Sequence, residues 1–547
     1  MEILSCCVVC MGVLHAINCQ YAYDIVSLNL YTLNFVSALC LFACIYDVVF
    51  NNLLHVHMRQ NVERKISGPC LSYLTLIPVA GVISVLGDET KDDVTVNYWE
   101  QLSVVVLTVS LINQLHIAVK DYVQAKGDKR YTWYALVFSP WLTVAVLHAW
   151  LMASEIGGWT LLSMYGMTSL AFTLHRVALT DMSSSFSLSE SSMIFQALTI
   201  YLFKVAGVLS SGSDMEKFIN VAVMSAMLVL TLVRLFPLLR GSLMFFGTNV
   251  CVAVLVSMPL LKRLTGQFFV FWLLRYIAAD PMRGILFLYW CLVCLLSVFM
   301  VTCIYNSHFT LHCDEVWPRR SEQRWRNLLI NSFKRKRQPV VYVNVKNDPT
   351  VSSGLRKVFH LMAILTFVPG LMCDVDLTNC AATCACVVFA MLECARVLKV
   401  GLLGEYLEAY LGLFRDRQDQ GVFILTPIYL LVGFTLPLWL HPSGTTNTLS
   451  LNSGVLALGV GDTFAAVIGS RFGRRKWPQS NRSIEGAAAF VVSTLVATVL
   501  LCYTTVQRYQ TTTNVLLAVF LTAFLESFTS QIDNLVLPVF MFTLLLC

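Results

Sequence analysis

The chain has 547 residues, of which 57% are hydrophobic and only 13% are charged, and its formal net charge is +6. Soluble domains carry about 25% charged residues, so this composition excludes an ordinary soluble protein. At about 20 residues per membrane-spanning helix, it predicts an all-α polytopic integral membrane protein with roughly 15–17 transmembrane helices.

Residues 1–305 form the first predicted region, a series of apolar blocks separated by short polar seams. The chain begins apolar, without a basic segment or a small-residue cleavage site, so we expect a retained span rather than a cleaved signal peptide. Most of the 19 cysteines lie inside apolar runs, where a thiol behaves as a small hydrophobe. The candidate spans of this region centre near Val8, Ala38, Ile77, Leu107, Leu142, Tyr165, Leu202, Leu228, Val254 and Leu292.

Residues 306–353 form the longest polar interval, and they contain the cationic run Lys334-Arg335-Lys336-Arg337. Lys and Arg concentrate in the cytosolic loops of membrane proteins. We therefore place this basic loop in the cytosol, where it would also be attracted to anionic headgroups. A nucleic-acid partner is not expected for a chain this apolar.

Residues 354–547 form the third predicted region, and the basic loop fixes the orientation of its spans. The spans are predicted at 357–372, 380–399, 422–440, 451–470, 486–502, 513–528 and 535–547. Alternating from the cytosol, this count puts every marked polar cluster on the cytosolic face, so we expect one active site there. The clusters contain Arg356, Lys357, His360, Glu393, Arg396, Asp416, Asp419, Glu526, Asp533 and Asn534.

The stretch from Leu458 to Gly486 combines an acid, glycines and clustered cations. A carboxylate in a hydrophobic span costs roughly 2.5–3.5 kcal/mol, yet Asp462 lies inside an apolar segment. The turn that follows offers counter-charge to a polyanion, and this combination is what a metal–nucleotide site at a membrane surface requires. The residues that we assign to binding there are Arg471, Gly473, Arg474, Arg475, Lys476, Trp477, Pro478, Arg482, Ser483, Glu485 and Gly486.

Several short motifs of the C-terminal region occur together in a known family. They comprise Gly461-Asp462-Thr463, Ala466, Gly469, Gly473, Trp477-Pro478, Glu485-Gly486, Arg356 to His360, Pro369-Gly370, Phe414, Asp416, Asp419, Gly421, Thr426, Tyr429 to Leu431, Gln531 to Leu535 and Pro538. On these residues the region resembles the CTP-dependent lipid kinase and cytidylyltransferase superfamily, and within it the dolichol kinases. The chain departs from the family at Arg482-Ser483, where Lys-Thr is usual. Arg is a planar fork and Lys a point charge, so the phosphate contact is expected to differ in detail.

The resemblance implies transfer of the γ-phosphate of CTP to the terminal hydroxyl of dolichol, giving dolichyl phosphate for the sugar carriers of protein glycosylation. It implies Mg²⁺ or another divalent cation, with Asp462 and Asp533 as ligands. Asp462, Asp533 and Glu526 are the candidate catalytic carboxylates, one of which would orient or deprotonate the hydroxyl. Trp477 would either stack on the cytosine or anchor at the membrane interface. His360 would have a structural or phosphate-contact role, or act as the base.

Other functions stay open at this point. One is a related enzyme, phosphatidate cytidylyltransferase or a kinase of shorter prenols or phytol, and another is a polytopic transporter. A transporter would distribute its polar residues through the membrane depth, whereas here they gather at one surface, which favours chemistry. The resemblance implies the endoplasmic reticulum membrane as the location and CTP and dolichol as partners, and it leaves the oligomeric state open.

Overall fold

The structure is a computed structural model, and every regular element in the part of the chain that it describes is helical. The one β-type contact among these residues is an isolated antiparallel bridge between Lys476 and Ser483. The predicted all-α fold is therefore confirmed for them. For residues 188–189, 202–211, 304–316, 353–356, 504–505 and 512 the backbone alone is described. The described parts are residues 7–15, 76–77, 79–80, 106, 188–211, 213–316, 353–412, 415, 419, 421–440, 447–478, 480–505, 512–529 and 532–546.

The helices described in the first half beyond residue 187 are separated by tight turns. They are α1 (Leu188–Ser211), α2 (Asp214–Leu235), a 3-10 turn (Pro237–Arg240), α3 (Ser242–Val252), a π-helical turn (Ala253–Ser257), α4 (Met258–Thr265), α5 (Phe269–Ala278) and α6 (Pro281–Val316). Gly266 ends α4 at φ 73°, a left-handed conformation that favours glycine. The sequence analysis predicted no separate span at α5. Helix α6 extends beyond position 305, where the N-terminal region was predicted to end.

The helices of the second half follow the predicted spans closely. They are α7 (Ser353–Cys373), α8 (Val375–Val397), α9 (Gly401–Leu411), α10 (Thr426–Leu440), α11 (Thr448–Leu451), a π-helix (Val455–Asp462), α12 (Thr463–Phe472), α13 (Ile484–Thr505), α14 (Thr512–Phe528) and α15 (Asp533–Leu545). The span predicted at 451–470 corresponds to α11, the π-helix and α12 together. Helix α9 lies where the sequence predicted a cytosolic loop.

Six helical segments among the described residues are long and apolar enough to cross a membrane, which confirms a polytopic membrane protein. They are Asp214–Leu235, Ser242–Thr265, Pro281–Cys303, Val375–Val397, Val455–Phe472 and Ile484–Tyr503. Helices α5, α10, α14, α15 and the part of α7 from Lys357 are apolar but shorter. The spans predicted near Ala38, Leu107, Leu142 and Tyr165 lie outside the described residues, so the total of roughly 15–17 stays a prediction.

Helix α15 lies at the centre of the second half. All its residues from Asn534 to Leu545 are buried, as expected of a helix that is apolar on every side. Helices α10 and α14 and the π-helix pack against it. The approach of α10 is closest at Gly433, where an added Cβ would lie 2.1 Å from the carbonyl oxygen of Asn534. Only glycine fits there, and this packing fixes the start of α15, which carries Asp533.

Helices α2 to α6 expose large apolar side chains over much of their surface. Leu243 is 80% exposed, Leu288 is 70% exposed and Phe299 is 68% exposed. An apolar surface of this extent is unusual on a soluble protein. It fits helices whose outer faces contact lipid tails.

Candidate functional site

The site begins where α7 meets the end of the π-helix. Lys357 and His360 are three residues apart on α7, so they share one face of the helix. The ammonium group of Lys357 pairs with the carboxylate of Asp462. The His360 Nε2 atom lies 3.5 Å from Oδ2 of the same carboxylate. Since the Asp462 side chain is only 2% exposed, this is a buried charge held by a cationic partner.

Two glycines of the π-helix allow neighbouring helices to approach Asp462. An added Cβ at Gly461 would lie 2.5 Å from the ring of Phe490 on α13. One at Gly459 would lie 2.6 Å from Ile364 on α7. The widened π-helical turn is also a feature that occurs often at functional sites. The local sequence therefore brings α7 and α13 against the segment that carries the acid.

Arg482 joins Asp462 to two further carboxylates. Its Nη1 atom pairs with Glu526 at the end of α14 and lies 4.0 Å from Oδ1 of Asp462. Its Nη2 atom lies 3.1 Å from Oδ2 of Asp533, at the start of α15. Burial works to lower the pKa of Arg482, but the carboxylates of Glu526, Asp533 and Asp462 outweigh it and raise the pKa. We call the group formed by Lys357, His360, Asp462, Arg482, Glu526 and Asp533 the charge network.

The segment between α12 and α13 is a tight hairpin. The backbone N–H of Trp477 donates to the carbonyl of Arg482 at 3.0 Å, and that of Ile484 donates to the carbonyl of Arg475 at 2.8 Å. The Glu485 carboxylate accepts the backbone N–H of Arg475 at 3.1 Å. This hairpin places Arg482 against the three carboxylates of the network. The carboxylate of Glu485, a predicted binding residue, is bonded to the backbone of the hairpin.

Four cations of the hairpin region are solvent-exposed. None of them forms a salt bridge with a carboxylate in the described part of the chain. Exposed cations without an acidic partner can accept a polyanion at no cost of breaking an existing pair. They are Arg471, Arg474, Arg475 and Lys476.

Glycines close the base of the hairpin. An added Cβ at Gly473 would lie 2.2 Å from the carbonyl oxygen of Gly469 and 2.6 Å from Oγ of Ser483. One at Gly486 would lie 3.0 Å from the carbonyl oxygen of Ala465. The Ser483 hydroxyl accepts the backbone N–H of Gly486 at 3.1 Å, so it caps the start of α13. The predicted phosphate contact of Ser483 stays a prediction, since its hydroxyl can still donate to a phosphate oxygen.

Trp477 packs into the protein rather than standing free. Its ring meets Phe528 edge-on at 5.0 Å between centroids and Phe524 at 6.0 Å, both on α14. The Ser480 hydroxyl donates to the carbonyl of Ser527 at 3.1 Å. These contacts dock the hairpin onto α14, while Pro478 stays exposed.

Glu393 and Arg396 form a separate buried cluster. The Arg396 guanidinium binds both oxygens of Glu393, at 2.9 and 2.6 Å, and it also pairs with Glu408 of α9. Glu393 accepts the backbone N–H of Ile424 at 2.5 Å, and Arg396 donates to the carbonyl of Val422. The pair therefore fixes the chain that leads into α10.

Asp419 starts α10. Its Oδ1 atom accepts the backbone N–H groups of Leu425 at 2.9 Å and Thr426 at 3.2 Å, and its Oδ2 atom accepts the Thr426 hydroxyl at 2.8 Å.

Asn534 is buried beside Asp533, whose Oδ1 atom accepts its backbone N–H at 3.0 Å. Asp416 lies outside the described residues, and for Arg356 only its place in the backbone of α7 is described.

Several charged residues outside the predicted site residues pair at these clusters or at the ends of the same helices. Glu408 pairs with Arg396, and Arg415 lies 3.7 Å from Glu408. At the opposite end of α7, Arg283 donates to Asp374 at 2.7 Å. Each of them is a charged residue between or near the end of apolar runs, which was the available signal. The linear sequence does not say which of these charges pair.

The fold and the charge network define a polytopic helical membrane protein with charged side chains converging where several helices end. Comparison with known proteins shows which proteins the chain is similar to. Residues 340–433 match the family model described as dolichol kinase. The chain is similar to the dolichol kinase of Homo sapiens, with 32% identity over 317 residues, and to that of Bos taurus, with 31% identity over 353 residues. It is 35% identical over 196 residues to dolichol kinase EVAN of Arabidopsis thaliana. The resemblance to dolichol kinases is thereby confirmed.

These matches are partial in length. They take in 56%, 62% and 35% of this chain and cover 53%, 60% and 34% of the human, bovine and Arabidopsis proteins. The chain thus spans about half the length of the curated mammalian relatives. No solved structure gives a significant match to the chain.

Proposed function

We propose that the chain transfers the γ-phosphate of CTP to the terminal hydroxyl of dolichol, giving dolichyl phosphate and CDP. The observation that carries the proposal is the buried carboxylate of Asp462, paired with Lys357 beneath a hairpin of exposed cations. The relatives named dolichol kinase support the acceptor and the reaction type. CTP as the donor rests on the motif resemblance of the stretch from Leu458 to Gly486.

The charges divide the work between the network and the hairpin. In the network, the cations Lys357 and Arg482 face the three carboxylates of Asp462, Glu526 and Asp533. It therefore has no surplus positive charge to offer a nucleoside triphosphate. The exposed cations of the hairpin region do, so they would bind the phosphates while the network positions the reacting groups.

The transfer needs a bond to form between the dolichol oxygen and the γ-phosphorus. The bond from that phosphorus to the bridging oxygen then breaks, CDP leaves, and the hydroxyl proton passes to a base. Asp533 is 23% exposed, whereas Asp462 and Glu526 are 2% exposed. Asp533 is therefore the most accessible of the three carboxylates to an incoming hydroxyl, and Asp462 and Glu526 pair with the side chains of Lys357 and Arg482.

The donor set fits a divalent cation that arrives with the nucleotide. Mg²⁺ prefers one or two carboxylates together with phosphate oxygens and water. Among the described residues no group of three or more His, Cys, Asp or Glu side chains could hold a metal ion on its own. Asp462 and Asp533 would hold the ion, which supplies neutralisation of charge on the β- and γ-phosphates.

We place this reaction at the cytosolic face of the endoplasmic reticulum membrane, where it would feed protein glycosylation. The positive-inside rule supports the orientation, since the hairpin and the basic loop carry clustered cations. A polyprenol stays in the bilayer and presents its hydroxyl at the headgroup plane. A site at the ends of membrane helices suits such an acceptor.

The decisive experiment follows the label. Purified chain in detergent is given dolichol and CTP labelled either at the γ-phosphate or in the cytidine. We expect γ-label, and no cytidine label, in the lipid. Asp462→Asn should abolish the transfer, while Asp214→Asn, the same change at the start of α2, should leave it intact. Cytidine label in the lipid would instead establish a cytidylyltransferase. Absence of any label in the lipid, with a chain shown to be folded, would refute the proposal.

A further inference from the structure

Helix α7 carries two members of the charge network and also an internal proline, Pro369. Proline has no backbone N–H, so the carbonyl of Leu365, four residues earlier, loses its donor within the helix. In a membrane no water replaces that donor, and neighbouring groups must supply it.

The donors come from α6, in the N-terminal region. The Tyr289 hydroxyl donates to the carbonyl oxygen of Leu365 at 2.9 Å. The adjacent Trp290 Nε1–H donates to the carbonyl oxygen of Thr366 at 3.0 Å. Two consecutive aromatic residues thus bind the two carbonyls that lie one turn before Pro369.

The packing around this point is correspondingly close. An added Cβ at Gly370 would lie 2.8 Å from Cζ2 of Trp290 and 2.5 Å from Oγ1 of Thr378 on α8. Near the end of α7, Arg283 of α6 donates to the Asp374 carboxylate at 2.7 Å, which also caps α8 by accepting the N–H of Leu377 at 2.8 Å. Helix α6 therefore holds α7 both at the proline and at its far end.

We propose that Tyr289 and Trp290 are positioning residues for the charge network: by bonding the Leu365 carbonyl left free by Pro369 and the adjacent Thr366 carbonyl, α6 sets the bend of α7 and so places Lys357 and His360 against Asp462. This inference rests on the proposed function for its catalytic readout. It gives the N-terminal region a role in catalysis although the motif residues lie in the second half.

The distance along α7 makes the bend consequential. Lys357 precedes Pro369 by 12 residues, or about 18 Å at 1.5 Å per residue. A change of about 5° in the bend would move the Lys357 end by about 1.5 Å over that length. A displacement near 1 Å can reduce turnover by about 100-fold. The exposed cations of the hairpin are not on α7, so nucleotide binding should be spared.

The test is a double-mutant cycle on the full chain between Tyr289→Phe and Pro369→Ala. Tyr289→Phe should lower kcat about tenfold and leave KM for CTP within about twofold, because the network shifts and the hairpin does not. Pro369→Ala restores a donor within the helix, so in that background the same change should lower kcat by less than about twofold. Tyr503→Phe, which removes the hydroxyl of a residue that is 86% exposed, serves as the matched control and should have no effect.

The unfolding temperature of the purified variants provides a second reading of the cycle. Tyr289→Phe should lower it in the wild-type background and not in the Pro369→Ala background, whether or not the chain phosphorylates dolichol. Failure of the proposed function alone would leave this pattern intact. Equal losses in both backgrounds, an unchanged kcat for Tyr289→Phe, or a rise in KM for CTP instead of a fall in kcat would overturn the inference. If Pro369→Ala does not fold, the kcat and KM of Tyr289→Phe and of Trp290→Phe decide it.

Discussion

Replacing Arg482 by glutamine tests the charge network at its centre. Arg482→Gln keeps a hydrogen-bonding side chain but removes the charge that Glu526, Asp533 and Asp462 share. The carboxylates of Glu526 and Asp462 are 2% exposed, so little water can take over the role of the guanidinium. We expect the variant to be less stable and to lose phosphotransfer.

The size of the effect follows from burial. Removing one partner of a buried ion pair costs about 3–5 kcal/mol because the other charge is left unpaired. Arg482 is 36% exposed and Asp533 23% exposed, and solvent screens pairs of that kind. We therefore expect a loss of about 2–3 kcal/mol. Arg482→Lys retains the charge but cannot bind Glu526 and Asp533 with separate nitrogens, so it should cost about 1 kcal/mol.

The assay is denaturant unfolding of the detergent-solubilised chain, paired with turnover on dolichol. Combining Arg482→Gln with Glu526→Gln removes the cation together with its buried carboxylate partner. The double variant should therefore regain stability relative to Arg482→Gln while staying inactive. Unfolding of Arg482→Gln at the wild-type midpoint, or a double variant less stable than the single one, would refute the reasoning.

Three further predictions test neighbouring parts of the site. Arg474→Gln should raise KM for CTP about tenfold with kcat unchanged, since a charge-assisted contact is worth about 1.5–3 kcal/mol; a fall in kcat alone, measured by initial rates, would contradict it. Asp419→Ala removes the cap of α10 and should lower the free energy of unfolding by about 1–2 kcal/mol, with KM for CTP unaltered; no change in the unfolding midpoint would speak against a capping role. Ala488→Trp places a large ring on the exposed face of α13 and should depress turnover on long polyprenols more than on short ones, as measured by competition between acceptors; equal turnover on both would exclude a lipid-facing entrance there.

The course of the second half was predictable because its apolar runs are long and its polar seams are short. The span predicted at 380–399 is α8 within a few residues, and that at 513–528 is α14. Span counting also predicted that Lys357, Glu526 and Asp533 lie on the same face of the membrane, and the structure places them in one network with Asp462. Counting the predicted spans tells on which side of the membrane a residue lies, and this prediction required no more than that.

The sequence did not predict which helices lie side by side, because hydropathy does not specify which helices are in contact. Glu393 and Arg396 were assigned to the common site, whereas the structure gives them Glu408 and the backbone near Ile424 as partners. The π-helix at Val455–Asp462 also left no pattern, since its apolar residues fit an α-helix equally well. Those features depend on packing that forms only when the whole half has assembled.

The central position of α15 has a consequence for how the protein is made. Synthesis proceeds from the N-terminus, so α10, the π-helix and α14 leave the ribosome before the helix that they surround. Until α15 inserts, the groove beside Gly433 is unfilled and Arg482 lacks Asp533. Assembly of the second half therefore cannot be completed before translation has passed α15, and a chain arrested earlier would leave this groove and the charge of Arg482 uncovered.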